Sequence, residues 1–391
     1  MPFAFATQAD NRKLADHVWD GGICFCVTAV SPELFTAAGQ KIFWRGKLFM
    51  EVHFARTNGE LDALIDEIIH LVGTHHPDVV REMIISALKA GQETDYLADL
   101  KLMRTTMKEM RYTNKIFDPY RSRKKVTIFG SARTEAQEPI YQKCLVFSQM
   151  LAERGYMVIT GGGGGIMRAG NEGAGAENSF AVNIRLPFEQ ETNPVMEKSK
   201  NVIIYKYFFN RKVAFLKEAD AVALFPGGFG TLDEAMETLT LVQTGKNPPI
   251  PLILIDDDDG DYWENWFQFI KKTLLKRGLI SGDDFSLFTI TRDPAEAVQV
   301  IDDFYRIYHS CRFVRDTLVI RLNKLLTGEQ VDILGSEFNE IMEPGSSLQL
   351  TGAFPEEEDQ PDLLNLPRLA FKFNHSSYGL LKAFIRRLNS F

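Results

Sequence analysis

The sequence predicts an α/β protein: a parallel sheet with helices on both faces, flanked by small N-terminal and C-terminal α+β domains. From Val126 onward, short β-branched runs alternate with amphipathic stretches. Parallel strands joined by crossover helices require this regular change of hydrophobic period. Three of those strands run into glycine-bearing turns, FGSART, TGGGGGIMRAGN and FPGGFGTLDE, at the edge where an open sheet delivers its chain to the next helix.

Taken in order, the central elements are strand VTIFGSA, helix YQKCLVFSQMLAERG, strand YMVITGGGGG and a helical IMRAGNEGAGA. Strands SFAVNIRL and NVIIYKYF follow, then helix RKVAFLKEA, strand DAVALFPGG and helix TLDEAMETLTLVQTG. Strand PLILID, helix YWENWFQFIKKTLLKRG and strand SLFTITRD complete a domain expected over residues 119–310. Residues 1–118 carry two strand-like runs, ICFCVTAV and KLFMEVHFA. Two helices follow them, ELDALIDEIIHLVG and the long arm PDVVREMIISALKAGQETDYLADLKLMRTTMKEM. Residues 311–391 read as strand TLVIRLN, helix GEQVDILGSEFNEIM, strand SSLQLTGAF, an acidic loop, strand RLAFKFN and helix YGLLKAFIRRLN. Neither end domain carries a catalytic motif, and the chain shows no internal repeat.

Composition narrows the function. At 391 residues the chain exceeds a usual single domain, and 45% hydrophobic with 25% charged residues describes a water-soluble globular protein. No apolar run approaches the roughly 18 residues of a membrane span. A net charge of -8 argues against a general nucleic-acid binder, which neutralises phosphates. The basic run RSRKK, Arg121 to Lys125, reads as a solvated linker rather than a phosphate-steering patch. Four cysteines, Cys24, Cys26, Cys144 and Cys311, fit a reducing compartment. Cys24 and Cys26 read as buried thiols, because no CxxC or HxxxH completes a metal site. DDDDGD, from Asp256, lacks the spaced ligands of a calcium loop and reads as a turn. The opening MPFAFATQADNRK has no basic and apolar leader, which places the expected location in the cytoplasm.

The glycine turns point to an anion. Without Cβ atoms, backbone N–H groups approach a ligand closely, and the following helix adds its positive N-terminal field. Phosphate is the natural guest, although any one of these turns could equally serve tight helix-to-sheet packing. None spells GxGxxG in a dinucleotide setting or GxxxxGK[ST], so neither a standard NAD site nor a Walker-type ATP site is expected. Glu234 follows the third turn, and two readings stand: a capping box with Thr231, or a carboxylate facing ribose hydroxyls or a developing cation beside the phosphate. Arg211, opening a helix where cations are disfavoured, is either a surface residue or an anion clamp. Of the aromatic run Tyr205, Tyr207, Phe208 and Phe209, core packing is the first reading and a base pocket the second.

YFFNRKVAF with PGGFGTLDE, preceded by FGSAR and TGGGGGIM, closely resembles the Lonely guy (LOG) proteins, long labelled "lysine decarboxylase-like", over residues 124–305. The resemblance implies a Rossmann-like domain and a nucleoside 5′-monophosphate phosphoribohydrolase releasing base and ribose 5-phosphate from AMP-like or cytokinin riboside monophosphates. It sets catalysis on Arg211 and Glu234, with Lys212 of the RK pair beside them. The phosphate loop falls on Gly227, Gly228, Gly230 and Thr231, joined by Gly130 and Ser131. The second turn keeps Gly161, Gly162, Gly165, Met167 and Asn171, but Arg168 stands where a glutamate is expected. No metal and no cofactor are called for. The resemblance also implies a homo-oligomer, at least a dimer, through Arg211–Glu218 and Thr231–Gln243; both helices carry more apolar surface than one flanking helix leaves to water. The rival is a non-hydrolytic carrier or sensor of a phosphate-bearing ligand, like the molybdenum-cofactor carriers; Arg211 and Glu234 favour the enzyme. Nothing supplies a pyridoxal lysine in a recognisable setting, so the decarboxylase label is set aside.

Overall fold

A computed structural model describes residues 57–186 and 192–391. The runs ICFCVTAV and KLFMEVHFA, with Cys24 and Cys26, lie outside the described residues. The chain divides into two compact units, Met1–Asp95 and Tyr96–Phe391. In the first, helices α1 (Glu60–Val72) and α2 (Pro77–Glu93) bury Ile65, Ile69 and Ile85 together. The second begins with α3 (Leu97–Phe117). The arm expected as one helix from Pro77 to Met110 is therefore two. Thr94 takes an extended conformation, φ -135° and ψ 135°, in a stretch where Gly91, Thr94 and Asp95 are all weak helix formers. The expected domain boundary at residue 118 falls at the end of α3, whose last residue, Phe117, is buried and stacks on Phe180 at 4.2 Å.

The centre is a seven-stranded sheet in the order β4-β3-β2-β1-β5-β6-β7, every pair parallel. Its elements run β1 (Lys125–Phe129), α4 (Pro139–Glu153), β2 (Met157–Thr160), α5 (Ile166–Ala174), β3 (Ser179–Ile184) and β4 (Val202–Tyr205). They continue with α6 (Phe208–Lys217), β5 (Ala221–Leu224), α7 (Phe229–Gln243), β6 (Leu252–Ile255), α8 (Tyr262–Phe269), β7 (Thr289–Thr291) and α9 (Pro294–Phe304). Strand side chains alternate between two cores, as the pleat demands. Val126 and Ile128 face α4, α5 and α9, while Phe129, on the other face, meets α6. With both faces covered, β1, β2, β3, β5 and β6 are buried throughout.

The basic run is a solvated linker only at Arg121 and Ser122, and its later residues are packed. Arg123 donates to the carbonyls of Gly155 and Tyr156, and the Lys124 ammonium lies 3.8 Å over the Tyr305 ring. Arg123 to Lys125 are built into the amino edge of the sheet.

The remaining elements are β8 (Tyr308–Val314), β9 (Thr317–Leu322), α10 (Gly328–Glu337), β10 (Gln349–Thr351), β11 (Arg368–Phe371) and α11 (Tyr378–Leu388). They form a four-stranded sheet, β10-β11-β9-β8, antiparallel throughout, with its own core. Strand β8 was not anticipated. It turns into β9 through Arg315 at φ 54° and Asp316, and this pair lacks the Asn-Gly signal of a two-residue hairpin. Glu357 is buried here against Arg321 and Arg368, at 2.7 and 3.1 Å. Among the described residues no helix is long and apolar enough to cross a membrane.

Candidate functional site

Strand β1 pairs with β2 on one side and β5 on the other. The chain leaves it and its neighbours at the point where strand order reverses, so the loops after β1 and β5 part and open a crevice at the carboxyl edge. The loops are tied at its floor: the Ser131 N–H donates to the Pro226 carbonyl at 3.0 Å, and the Ile166 N–H to the Ser131 carbonyl at 2.9 Å. Between them lies a cleft of about 780 Å³, within the range of small-molecule sites.

The expected residues divide on inspection. Gly130, Ser131, Gly161, Met167, Arg211, Gly227, Gly228, Gly230, Thr231 and Glu234 all line the cleft, whereas Gly162, Gly165, Asn171 and Lys212 do not. A Cβ on Gly228 or Gly230 would meet nothing within 4 Å, so these two glycines border open space at the cleft. Gly165, at φ 59°, sits where a Cβ would run into the Ser131 carbonyl; it is a packing glycine that lets α5 approach β1. Asn171 is buried, its Oδ1 accepting from Thr160 Oγ1 at 2.8 Å and Asn193 Nδ2 at 2.9 Å. It shapes the second turn from within.

Helix α7 starts at Phe229 with Gly228 as its cap residue and no side-chain cap. Thr231 and Glu234 therefore stand in its first and second turns, and the capping-box reading does not hold. The N–H groups of Phe229 and Gly230 have no acceptor among the described residues. Such orphan donors, at the positive end of a helix, suit a phosphate.

Glu234 projects from that helix into the cleft and is 9% exposed. Its Oε2 is buried with no hydrogen-bond partner among the described residues, and its Oε1 lies 3.6 Å from Lys212 Nζ. Burial pushes its pKa up to about 7; Lys212 and Arg211 pull it down, while Glu237 and Asp233 push it further up. A buried unpartnered carboxylate oxygen is costly unless a ligand meets it.

Arg211 reaches the cleft from α6. Its Nε donates to the Val182 carbonyl at 2.8 Å, and the guanidinium lies 5.1 Å over the Phe215 ring. Burial lowers its pKa to about 10, Glu234 opposing the shift, so it stays charged at neutral pH with its terminal nitrogens available. Lys212, one residue on, spends its ammonium on Asp233 at 2.8 Å and Glu237 at 2.6 Å. Burial draws Lys212 down, but those bonds outweigh it and raise it to about 12. It braces α6 to α7.

Sequence reading missed Phe215 and Tyr262, which also line the cleft. Tyr262 donates to the Gly227 carbonyl at 2.7 Å and so holds the glycine loop. Its place directly after β6, at the same carboxyl edge, was the available signal. Of the four aromatics from the end of β4 into α6, Phe208 lines the cleft; Tyr205 is in the core, bonded to Thr113, and Tyr207 stacks on Phe209 at 5.4 Å. Arg168 pairs with Glu172 at 2.7 Å and is not among the cleft residues. Asp256 accepts from the N–H groups of Asp257 and Trp263, both at 3.0 Å. No group of three or more potential metal ligands occurs among the described residues.

Residues 164–301 match the family model described as "Possible lysine decarboxylase". A probable cytokinin riboside 5′-monophosphate phosphoribohydrolase of Oryza sativa subsp. japonica is 31% identical over 141 residues, 34% of this chain and 54% of that protein. The chain thus spans about half the length of that relative. A cytokinin riboside 5′-monophosphate phosphoribohydrolase of Arabidopsis thaliana is 22% identical over 187 residues, 46% of this chain and 84% of that one. Among solved structures, the molybdenum cofactor binding protein of Rippkaea orientalis is 19% identical with a TM-score of 0.34, covering 46% of this chain and 96% of its own.

Proposed function

Because this chain belongs to the LOG family, we propose that it is a nucleoside 5′-monophosphate phosphoribohydrolase, cleaving AMP-like or cytokinin riboside monophosphates to free base and ribose 5-phosphate. The observation that carries the reading is the unpartnered, buried Oε2 of Glu234, in one cleft with Arg211 and the open glycines of the α7 N-terminus.

In this reading the 5′-phosphate sits on the N–H groups of Phe229 and Gly230, between Gly228 and Ser131, and fixes the sugar. A carboxylate beside the phosphate would repel it, so Glu234 serves the far side of the ribose. As the C1′–N bond breaks, its electron pair leaves with the base and positive charge grows on the ribose, which ionised Glu234 stabilises. Water adds its oxygen to C1′; Glu234 accepts one water proton, and the departing base gains a proton in exchange. Arg211 holds the nucleotide and offsets charge on the leaving base. Phe208, exposed on the cleft wall, supplies apolar surface for that base, while the buried Phe215 ring backs the Arg211 guanidinium. A carrier that keeps its ligand intact has no use for the cost of burying Glu234.

The α6 and α7 surfaces leave Phe209, Val213 and Met236 exposed, at 47%, 48% and 38%. A two-fold homodimer through these helices would cover them. The catalytic reading is tested by incubating the protein with AMP, GMP, IMP, CMP, UMP and a cytokinin riboside monophosphate and following base and ribose 5-phosphate. Binding of a nucleotide without release of its base would leave the carrier.

A further inference from the structure

A second cavity, of about 400 Å³, lies at the opposite edge of the central sheet. It opens where β6 and β7 begin, between α9 and α11, so the strands separate it from the cleft at their carboxyl ends. Leu252, Val300 and Phe304 supply apolar wall, while Lys382, Arg386 and Arg306 bring three cationic side chains to the same space.

Lys382 is the unusual member. It is 5% exposed, and its Nζ donates to the carbonyls of Ile250 at 2.7 Å and Leu287 at 2.6 Å. An ammonium has three donors, so one remains for the cavity it lines. It forms no ion pair among the described residues. Burial depresses its pKa to about 7, and the charge that adds to this is Arg386, of the same sign. Arg386 stands four residues on, on the same helix face, where like charges repel. Arg386 donates to the Ser286 carbonyl at 3.1 Å, and the Arg306 side chain has no partner among the described residues. Packing alone would favour an apolar side chain over a buried, uncompensated lysine.

We propose that this cavity is a second ligand site, for a small organic anion: a phosphate or carboxylate head against Lys382, Arg386 and Arg306, and a compact apolar or planar body against Leu252, Val300 and Phe304. Asp303 lines the same cavity and limits the negative charge it accepts, favouring one anionic group over a polyphosphate. The inference does not depend on the chemistry assigned to the cleft.

The test is calorimetric titration of the full chain carrying Gly228→Val, which fills the phosphate seat of the cleft and leaves the second cavity intact. The probes are phenyl phosphate and benzoate, one for each head group. The expected result is saturable one-to-one binding of at least one probe, weakened about tenfold or more by Arg306→Met with Arg386→Met, the loss of charged hydrogen bonds. Arg306 and Arg386 are exposed, so that pair should keep the melting temperature of the unliganded protein; Lys382→Met adds to the test if it folds. No saturable binding of either probe, or binding unchanged by the double substitution, would overturn the proposal.

Discussion

Lys212 Nζ lies 3.6 Å from Oε1 of Glu234 but only 2.8 Å from Asp233 and 2.6 Å from Glu237. The carboxylate on which the proposed chemistry rests therefore shares its nearest cation with two others on α7, Asp233 directly before it and Glu237 about one helical turn after it. This sharing, on top of burial, sets the pH at which Glu234 ionises.

Activity should rise with pH along a limb centred near the Glu234 value of about 7, because the ionised carboxylate is the form that stabilises the ribose cation. The charged groups facing Glu234 are Lys212, Arg211, Asp233 and Glu237. Lys212→Met should move the limb to higher pH, and Glu237→Gln should move it lower. A pH profile of kcat/KM decides this, and a limb that stays still in both variants would detach Lys212 from the chemistry.

Stability should carry the opposite signature. The folded-state value of Glu234 is raised from 4.5 to about 7, so across that window the folded protein holds a proton that the unfolded chain has released. Its contribution is fully present below about 4.5 and is lost as pH rises through about 7. Glu234→Gln should therefore melt higher than the parent above about pH 7, with the gap closing toward about pH 4.5. Parallel melting curves at all pH values would show that the burial cost is not borne by this group.

Two glycines should separate packing from binding. Gly228 has a negative φ and open space before it, so Gly228→Val should fold normally but raise KM for AMP about tenfold or more by filling the phosphate seat. Gly165, at φ 59° against the Ser131 carbonyl, should lose about 2 kcal/mol or more of stability as Gly165→Val. Thermal melts beside kinetics check both. Normal AMP kinetics in Gly228→Val would remove the phosphate from the α7 N-terminus.

Light scattering should give at least twice the chain mass of 44.3 kDa, from pairing over Phe209, Val213 and Met236. Val213→Glu should lower that mass. A monomer in the parent protein would leave those side chains in water.

Much of this was readable in advance, for a physical reason: parallel strands buried on both faces are continuous apolar runs, and each glycine turn marks a strand's end. VTIF, MVIT and LILI could hardly be anything else. The roles of the individual glycines were not readable. Gly228 opens onto the cleft and Gly165 onto a neighbouring backbone, and a sequence writes both with the same letter. Thr231 and Glu234 have capping-box spacing, but the cap residue is Gly228, because the glycine loop enters the helix early. Phe215, well inside α6, reaches the cleft only through tertiary packing. Strand β8, with polar His309, Ser310 and Arg312 inside it, is half-buried in an antiparallel sheet and lacks the apolar run that announced the others.

The central claim is tested most directly by release of adenine from AMP, measured for the parent protein and Glu234→Gln, with adenosine as the control substrate. The account predicts adenine and ribose 5-phosphate from AMP, much poorer cleavage of adenosine, and a loss of about 100-fold or more in Glu234→Gln while AMP still binds. Near-parent turnover in a folded Glu234→Gln, or equal kcat/KM for AMP and adenosine, would contradict it.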